Sequence, residues 1–283
     1  MKNIFIVGVT NQIGYFLIPM LKDNYNIFAL SRDEYNDEKI NWVKSDINEL
    51  DERTIGLFEI DVLIYIGSME YIHIFLNKFR KLNRLILFSS TSVITKQDSN
   101  VDEERRLSKI LFLGEESAKQ WCKKNNVNIT ILRPTLIYGI NKDKNITVIT
   151  NFITRFNFFP IVGAGKGLRM PVHAHDLANV VCKIIDNSKT YGKTYNLTGL
   201  ETLTYKEMIE RFFLSLKKKT IIISIPESLF KMLLTVLKVI PKYSHLSTGM
   251  ADRINQNLCF DTGDAQRDFD YSPMSFIPNK DIL

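Results

Sequence analysis

Short apolar runs alternate with segments of helical periodicity through the first half of the chain. The apolar runs predict β-strands at residues 4–7, 27–30, 42–44, 62–66, 85–88 and 129–132. Apolar residues at helical spacing predict helices over residues 12–22, 69–81 and 105–125. This alternation is typical of a parallel sheet that is covered by helices on both faces.

The pattern changes after Pro134. Glycine and proline turns at residues 160–167 and 170–171 precede a predicted helix near Asp176 and a mostly helical tail. We therefore predict an α/β protein, with a Rossmann-type doubly wound parallel sheet and a smaller, mostly helical C-terminal substrate lobe. The predicted sheet domain covers residues 1–170 and the lobe residues 171–283, with the segment 171–200 returning to the core.

Composition and cysteine usage indicate an ordinary globular chain in a reducing compartment. Its 283 residues are 45% hydrophobic and 24% charged, which is enough for a sizeable core. Cys122, Cys182 and Cys259 match no metal or disulfide spacing. The first residues lead directly into a strand, which leaves no room for a signal peptide, and no apolar run reaches the ~20 residues of a membrane span. We expect a cytoplasmic location.

The formal net charge of +6 raises the question of a nucleic-acid partner. The lysines are scattered, and the one tight run, at residues 217–219, lacks interleaved aromatic residues, so we predict no nucleic-acid binding. The apolar segment 226–240 carries two lysines. It fits either a helix packed on the core or a peripheral contact with a membrane surface.

The clearest chemical signal is the turn GVTNQIG at residues 8–14, directly after the first strand. An apolar strand that leads through a glycine-bracketed turn into a helix cradles the pyrophosphate of a dinucleotide. Gly8 allows the sharp turn and Gly14 allows close helix packing, while Asn11 replaces the middle glycine as a residue that tolerates a positive φ. We predict cofactor contacts from Gly8, Thr10, Asn11, Gln12, Ile13 and Gly14.

Two further segments are candidates for cofactor recognition. Arg32 and Asp33 follow the second strand, where an arginine pairs with the 2′-phosphate of NADP and an acidic residue binds the ribose of NAD. Arg32 favours NADP over NAD. Asp46 and Ile47 follow the third strand; the Asp46 carboxylate would accept a hydrogen bond from the adenine amino group or cap the next helix.

A series of motifs, in this order, resembles a known family. They are the turn at 8–14, Ser45-Asp46, LILFSSTSV (85–93), ILRPTLIYG (131–139), PVHAHDLA (171–178), YNLTG (195–199) and FDTGDAQRDFDYSP (260–273). Together they resemble the extended short-chain dehydrogenases/reductases, specifically the NAD-dependent epimerase/dehydratase group, which acts largely on nucleotide sugars. The resemblance implies NAD or NADP as cofactor, a contact from Ser89, and an oxidoreductase or isomerase; it leaves a homodimer open.

The resemblance also implies a catalytic set, of which one member is missing here. The family uses a serine or threonine, a tyrosine, and a lysine four residues after the tyrosine. Ser90 or Thr91 fits the hydroxyl and Lys109 fits the lysine, but the tyrosine position then falls on Arg105. A guanidinium stays protonated, so it cannot serve as the general acid/base. The chain therefore resembles an atypical branch of the family without the YxxxK tyrosine.

The missing tyrosine requires another group that transfers protons. The candidates are Lys96, Tyr138 and His173, each of which also has an ordinary structural explanation. YxxxK spacing also occurs at residues 35–39 and 138–142, in a segment after the second strand and in a glycine loop, where neither pair is expected to face the nicotinamide. Tyr138 is also expected to border the substrate.

Substrate binding is predicted at two arginines and a histidine. Arg133 and Arg169 are forked donors that suit a nucleotide-sugar diphosphate, although a structural salt bridge is an alternative for either. The family also has substrate contacts near the segments of both arginines, and we predict that His173 contacts the substrate as well. His173 and His175 alternate as strand residues, but without a further ligand we predict no metal and assign Asp176 to helix capping.

These observations lead to one main hypothesis and one alternative. The main hypothesis is an NAD(P)-dependent epimerase/dehydratase or reductase that acts on a nucleotide sugar or a related glycoconjugate. The alternative is a catalytically inactive dinucleotide-binding protein that serves as a sensor or an assembly subunit, since fold and cofactor site transfer between relatives more readily than the reaction does.

Overall fold

A seven-stranded, fully parallel sheet forms the centre of the protein. The computed structural model describes residues 1–33, 37–50, 55–56, 58–140, 146–237, 239 and 253–278. The strands are β1 (Asn3–Val7), β2 (Asn26–Ser31), β3 (Ile40–Lys44), β4 (Val62–Tyr65), β5 (Arg84–Phe88), β6 (Asn128–Pro134) and β11 (Thr194–Leu197). Their spatial order is β11-β6-β5-β4-β1-β2-β3. The order reverses at β1, as in a doubly wound fold, which confirms the predicted fold class.

Nine α-helices lie within the described ranges. They are α1 (Gln12–Leu21), α2 (Ile72–Leu76), α3 (Ser92–Thr95), α4 (Asp102–Lys124), α5 (Ile146–Phe156), α6 (Ala174–Ile184), α7 (Tyr205–Ser215), α8 (Glu227–Leu237) and α9 (Gly263–Phe269). The helix predicted over residues 69–81 is much shorter. The N–H groups of Lys78 and Phe79 donate to carbonyls three residues back, so the chain continues in tight turns.

Alternate residues of the sheet enter two different cores. Ile4 and Ile6 pack in one cluster with residues of α1 and α6, whereas Phe5 and Val7 pack in a second cluster with residues of α2 and α4. Strand residues that point alternately to two buried faces give the continuous apolar runs seen in the sequence. This packing fixes the ends of β1, β5 and β6 relative to α1 and α4.

A third core lies beside the sheet. The short pairs β7 (Ile137–Tyr138) with β10 (Val172–His173), β9 (Leu168–Arg169) with β12 (Leu203–Thr204), and β8 (Phe159–Val162) with β13 (Ile222–Ile225) border it. Its buried residues come from both sides of residue 170, including Ile153 and Phe212. The domain boundary at residue 170 stays a prediction.

Helix α8 covers most of the ambiguous apolar segment at residues 226–240. Phe230 and Leu234 are buried in the third core, while Met232 and Val236 are exposed. One face of α8 is therefore a packed face, and the membrane contact stays a prediction. Within the described ranges, no helix is both long enough and apolar enough to cross a membrane.

Candidate functional site

The glycine turn lies at the carboxyl end of β1. Gly8 has a φ of +90°, and a Cβ atom on it would stand 2.6 Å from the carbonyl oxygen of Ile66, which follows β4. A Cβ atom on Gly14 would stand 2.4 Å from the carbonyl oxygen of Val9. Both glycines are therefore required by close backbone packing, as the sequence predicts.

We expect Gly8→Ala to lower the free energy of unfolding by about 3 kcal/mol, since it combines an unfavourable φ with a backbone collision. Gly192→Ala is the matched control: Gly192 has a φ of +73°, but nothing lies within 4 Å of its added Cβ. We expect a loss of only about 1 kcal/mol there. Urea unfolding of both variants measures the difference, and equal losses would contradict the collision with Ile66.

Asn11 does not have the positive φ that the sequence suggests. Its backbone is extended, with φ −80° and ψ 174°, and it is the N-cap of α1. Its Oδ1 accepts hydrogen bonds of 2.9 Å from the N–H groups of both Ile13 and Gly14. The residue is therefore suited to the turn by its capping side chain, and the expectation of a positive φ is wrong.

The predicted adenosine-side residues lie at the carboxyl ends of neighbouring strands. Arg32 is exposed directly after β2, and Asp46 and Ile47 follow β3. Asp46 Oδ1 accepts from the N–H of Asn48 at 3.0 Å, so the carboxylate organises a local turn. Because parallel strands end at one edge, these residues share that edge with the glycine turn.

The shape of this edge fits a dinucleotide. The glycine cradle at Gly8, where a Cβ would collide with the backbone, permits the close approach that a pyrophosphate needs. The N–H groups of Ile13 and Gly14 lie at the start of α1 in this turn, and both donate to the side-chain oxygen of Asn11. A dinucleotide would lie against residues 8–14, with Arg32 within the region of its ribose.

A cavity of about 380 Å³ opens next to the turn. Its polar lining includes Gln12, Ser90, Thr91, Lys96, Arg169 and Arg253, and its apolar lining includes Leu136 and Ile137. Gln12 is 7% exposed, and its side-chain Oε1 has no hydrogen-bond partner among the described residues. Gln12 therefore joins the turn to the wall of the cavity, while its Oε1 is a buried acceptor that lies 3.1 Å from where a Cβ atom on Gly139 would stand.

Ser90 and Thr91 both line this cavity, but their hydroxyls differ. Thr91 is buried and its Oγ1 donates to the carbonyl oxygen of Pro134 at 3.2 Å. Ser90 Oγ instead accepts from the N–H of Ser92 at 3.1 Å, which leaves its hydroxyl hydrogen available. Ser90 is thus the better donor to a bound molecule.

Lys96 is a half-buried cation in the wall of the cavity. Burial lowers its pKa, as does the nearby Arg253, while Glu104 acts in the opposite direction. Glu104 is 3% exposed and accepts hydrogen bonds from Arg253 and from Ser99 Oγ. This cluster therefore carries two cations and one carboxylate, and it favours a neutral Lys96 more than water does.

The structure does not bring Lys109 or Arg105 to the cavity. Both are exposed on α4, and Arg105 pairs with Asp102 and donates to the carbonyl oxygen of Ser99 at 2.6 Å. The inward face of α4 carries Glu104 and Ser108 instead. The residue that the sequence spacing identifies, Lys109, therefore lies on the outward face of the helix.

Tyr138 and His173 lie together but outside the lining of the cavity. Their rings meet edge to face, with centroids 4.8 Å apart. The Tyr138 hydroxyl donates weakly to the carbonyl oxygen of Ser275 at 3.4 Å, and burial raises its pKa to about 12. Burial lowers the pKa of His173 to about 4, helped by the nearby His175. Both side chains are therefore held neutral in a packed environment.

Arg133 is engaged in a buried ion pair. Its Nε donates to Glu115 Oε1 at 2.9 Å and its Nη2 donates to Oε2. Ser89 Oγ donates to the same carboxylate at 2.6 Å. Glu115 is missed by the sequence analysis, although an acidic residue on the apolar face of an amphipathic helix indicates a buried partner. The structural salt bridge left open for Arg133 is present.

Arg169 is also committed to the protein. Its guanidinium donates to the carbonyl oxygens of Leu168 and Gln256, both at 2.7 Å, and to that of Arg253. Burial lowers its pKa to about 10. Its described donors therefore hold the segment 253–256 against the cavity.

The helix cap predicted at Asp176 is wrong. The N-cap of α6 is His173, whose Nδ1 accepts from the N–H of His175 at 3.1 Å. Asp176 lies in the first turn, where its carboxylate accepts from the N–H of Met274. Within the described part of the chain, no three His, Cys, Asp or Glu side chains form a metal-binding group. Residues 35 and 142 of the two YxxxK sequences lie outside the described residues.

Comparison with known sequences finds a family model that matches part of the chain. Residues 76–198 match the model of the NAD dependent epimerase/dehydratase family. This match confirms the resemblance inferred from the motifs, and it covers β5, α4, β6 and the segment that ends at Thr198.

Curated relatives cover parts of the chain. A protein from Sinorhizobium fredii, named "Uncharacterized protein y4nG", is 25% identical over 68% of this chain and 50% of its own length. The "NADH dehydrogenase [ubiquinone] 1 alpha subcomplex subunit 9, mitochondrial" of Arabidopsis thaliana is 32% identical over 29% of this chain and 20% of its own length. The chain thus spans half or less of the length of these relatives.

Solved structures show the same fold over nearly the whole chain. The UDP-glucuronic acid 4-epimerase of Bacillus cereus, in complex with UDP-glucuronic acid and NAD, has a TM-score of 0.73 at 16% identity and covers 98% of this chain and 95% of its own. The dTDP-glucose 4,6-dehydratase of Bacillus anthracis, in complex with NAD, has a TM-score of 0.69 at 16% identity over 97% and 92% of the two chains.

Proposed function

We propose that this chain is an NAD(P)-dependent enzyme that oxidises and reduces a sugar carbon of a nucleotide sugar or a related glycoconjugate. The observation that carries the proposal is the cavity that joins Gln12, at the start of α1, to Ser90 and Lys96 after β5. It lies at the carboxyl edge of the sheet, where doubly wound folds bind their ligands. The family match over residues 76–198 supports the same class of reaction.

The cofactor would lie along the glycine turn. Gly8, Asn11, Gln12 and Ile13 would face its pyrophosphate, and Arg32 would pair with a 2′-phosphate, which favours NADP. The similar structures named above contain NAD, so both forms belong in the test. When bound, a nicotinamide dinucleotide accepts or supplies the two electrons exchanged with the sugar carbon.

The substrate would enter the cavity beside Ser90. Leu136 and Ile137 offer apolar walls, and Ser90 and Lys96 offer hydrogen-bonding groups, so the lining suits a polar ring such as a sugar. Arg133 and Arg169 contribute through structure, because Arg133 is engaged by Glu115 and Arg169 by backbone carbonyls. The substrate classes in the structures of similar proteins make a nucleotide sugar our proposal.

Lys96 is our proposal for the proton-transferring residue. Among the three candidates from the sequence, it lies in the cavity, whereas Tyr138 and His173 do not contribute to its lining. A neutral Lys96 would take the proton of the sugar hydroxyl as that carbon is oxidised, and return it in the reverse direction. Ser90 would donate a hydrogen bond to the same oxygen.

A second function remains as an alternative because Lys109 is exposed. A chain without the tyrosine, and with its expected lysine on the outward face of α4, would lack the proton relay that the family resemblance implies. Similarity to a subunit of NADH dehydrogenase adds to this reading. The alternative is a dinucleotide-binding sensor or assembly subunit without turnover. A cytoplasmic location and a homodimer stay expectations from the sequence.

Cofactor turnover separates the two functions. The absorbance of reduced cofactor at ~340 nm is followed with NADP, NAD and a panel of nucleotide sugars, and product epimers are separated by chromatography. We expect turnover or epimerisation with at least one sugar. Cofactor binding without either reaction across the panel would favour the assembly protein.

Arg32→Ala tests the choice of cofactor. If Arg32 pairs with a 2′-phosphate, the variant should bind NADP about 10- to 100-fold more weakly and NAD with nearly unchanged affinity, because one charge-assisted hydrogen-bonded pair is lost. Calorimetric titration with both cofactors measures the two ratios. Equal losses would contradict the pairing, as would a wild-type preference for NAD.

A further inference from the structure

The side chain of Asn11 forms hydrogen bonds across the glycine turn. Its Oδ1 accepts from the N–H groups of Ile13 and Gly14 at 2.9 Å each, and its Nδ2 donates to the carbonyl oxygen of Ile66 at 3.3 Å. The carboxamide therefore bridges the start of α1 and the residue that follows β4. Three hydrogen bonds fix its position.

A pyrophosphate needs the same hydrogen-bond donors. An anion at a helix start is held by the N–H groups of the first turn, which have no partner within the helix. In a dinucleotide turn, the middle glycine carries no side chain, so the pyrophosphate can reach the backbone. Here a side-chain oxygen occupies that place and already accepts from two of the donors.

We infer that Asn11 is an internal competitor of the cofactor pyrophosphate. A dinucleotide binds only after the carboxamide leaves Ile13 and Gly14, so the intrinsic affinity of the turn is reduced by the stability of this cap. The inference rests on the proposed function, since it concerns the cofactor site of that function. It assigns part of the control of the dinucleotide's affinity to one side chain.

The backbone of the turn allows a clean test. Asn11 has an extended φ of −80°, which glycine also adopts, so Asn11→Gly needs no rearrangement. The main-chain bonds from Asn11 N to Gly8 O and from Tyr15 N to Asn11 O do not involve the side chain. Replacing an asparagine cap by glycine has only a small effect on stability.

Asn11→Gly should bind the dinucleotide about twofold more tightly than the wild type, which is the fold-change that corresponds to the small difference between an asparagine cap and a glycine cap. Asn11→Asp should bind it more weakly than the wild type, because a carboxylate keeps the cap and adds repulsion against the pyrophosphate. Since aspartate is as good a cap as asparagine, this second variant keeps the fold.

Asn187→Gly is the matched control. Asn187 caps the short helical turn Ser188–Thr190 by accepting from the N–H of Lys189 at 3.0 Å, and it lies outside the glycine turn. Its loss should leave the affinity for the dinucleotide unchanged. Thermal unfolding of each variant shows whether it is folded under the conditions of the titration.

Calorimetric titration of the wild type and the three variants with NADP and NAD decides between the outcomes. Tighter binding by Asn11→Gly together with weaker binding by Asn11→Asp supports the competition. Equal affinity of the wild type and Asn11→Gly, or tighter binding by Asn11→Asp, overturns it and leaves the proposed function standing. Absence of binding by all four folded chains overturns both the inference and the proposed cofactor.

Discussion

Lys96→Met is expected to lower kcat by about 10²- to 10⁴-fold on any substrate that the wild type accepts, because methionine fills the space but cannot carry a proton. Lys96→Arg should not restore activity, since a guanidinium does not release its proton at any working pH. Steady-state rates with saturating cofactor and substrate measure both effects. KM should change less than kcat if the main role of Lys96 is proton transfer.

Lys109, the lysine that the family resemblance selects, provides the control for Lys96→Met. Lys109→Met should retain nearly wild-type activity, because Lys109 is exposed on α4 and does not line the cavity. The opposite ranking of the two variants would contradict the role of Lys96 and restore that of Lys109.

The pH dependence has a sign that follows from the direction of the reaction. The pKa of Lys96 is lowered chiefly by burial, and further by Arg253. Oxidation needs the neutral amine, so its rate should rise as pH increases through this lowered pKa. Reduction needs the protonated amine, and its rate should fall over the same range. The inflection should disappear in Lys96→Met.

Glu115→Ala should lower the free energy of unfolding by about 3–5 kcal/mol, the cost of removing one partner from a buried ion pair. Glu115 is 1% exposed, and its removal would leave the guanidinium of Arg133 and the hydroxyl of Ser89 without their acceptor. Urea unfolding followed by circular dichroism measures the change.

The neighbouring residue supplies a control for the loss of a glutamate from α4. Glu116 pairs with Lys119, and both side chains are about 40% exposed, at 40% and 41% respectively. Glu116→Ala should therefore cost less than about 1 kcal/mol. Similar losses in the two variants would show that the pair between Glu115 and Arg133 contributes little to stability. Arg133 would then again be a candidate for binding the substrate.

The sheet was predictable because its signal is local. Each central strand is buried on two faces, so it appears as a short apolar run between turns, and all six strands predicted from these runs occur. The turn at residues 8–14 was equally clear, since Gly8 and Gly14 bracket a short segment between an apolar strand and a helix. Neither inference needed knowledge of distant contacts.

The site was less predictable because it depends on helix phase and on long-range partners. Successive helical residues are about 100° apart, so the face of α4 that carries Lys109 differs from the face that carries Ser108. Arg133 meets Glu115 on another element, and Arg169 meets carbonyls at residues 253 and 256. A sequence pattern identifies such arginines as forked donors but does not show which acceptors they reach.

Asn11 shows how one position can be identified correctly for the wrong reason. The sequence marks it as the replacement of the middle glycine, and the explanation from positive φ is natural for an asparagine in a turn. The structure gives the residue an extended backbone and a capping side chain. The decisive property is the reach of its carboxamide to two N–H groups, which depends on the exact course of the turn.

A crystal structure with NADP or NAD and a nucleotide sugar tests the central claim most directly. The proposal predicts the sugar in the cavity beside Ile137, with Ser90 Oγ and Lys96 Nζ both within about 3 Å of one sugar oxygen and the nicotinamide against the adjoining carbon. A sugar bound elsewhere, or bound in the cavity with Lys96 out of reach of every sugar oxygen, would contradict it.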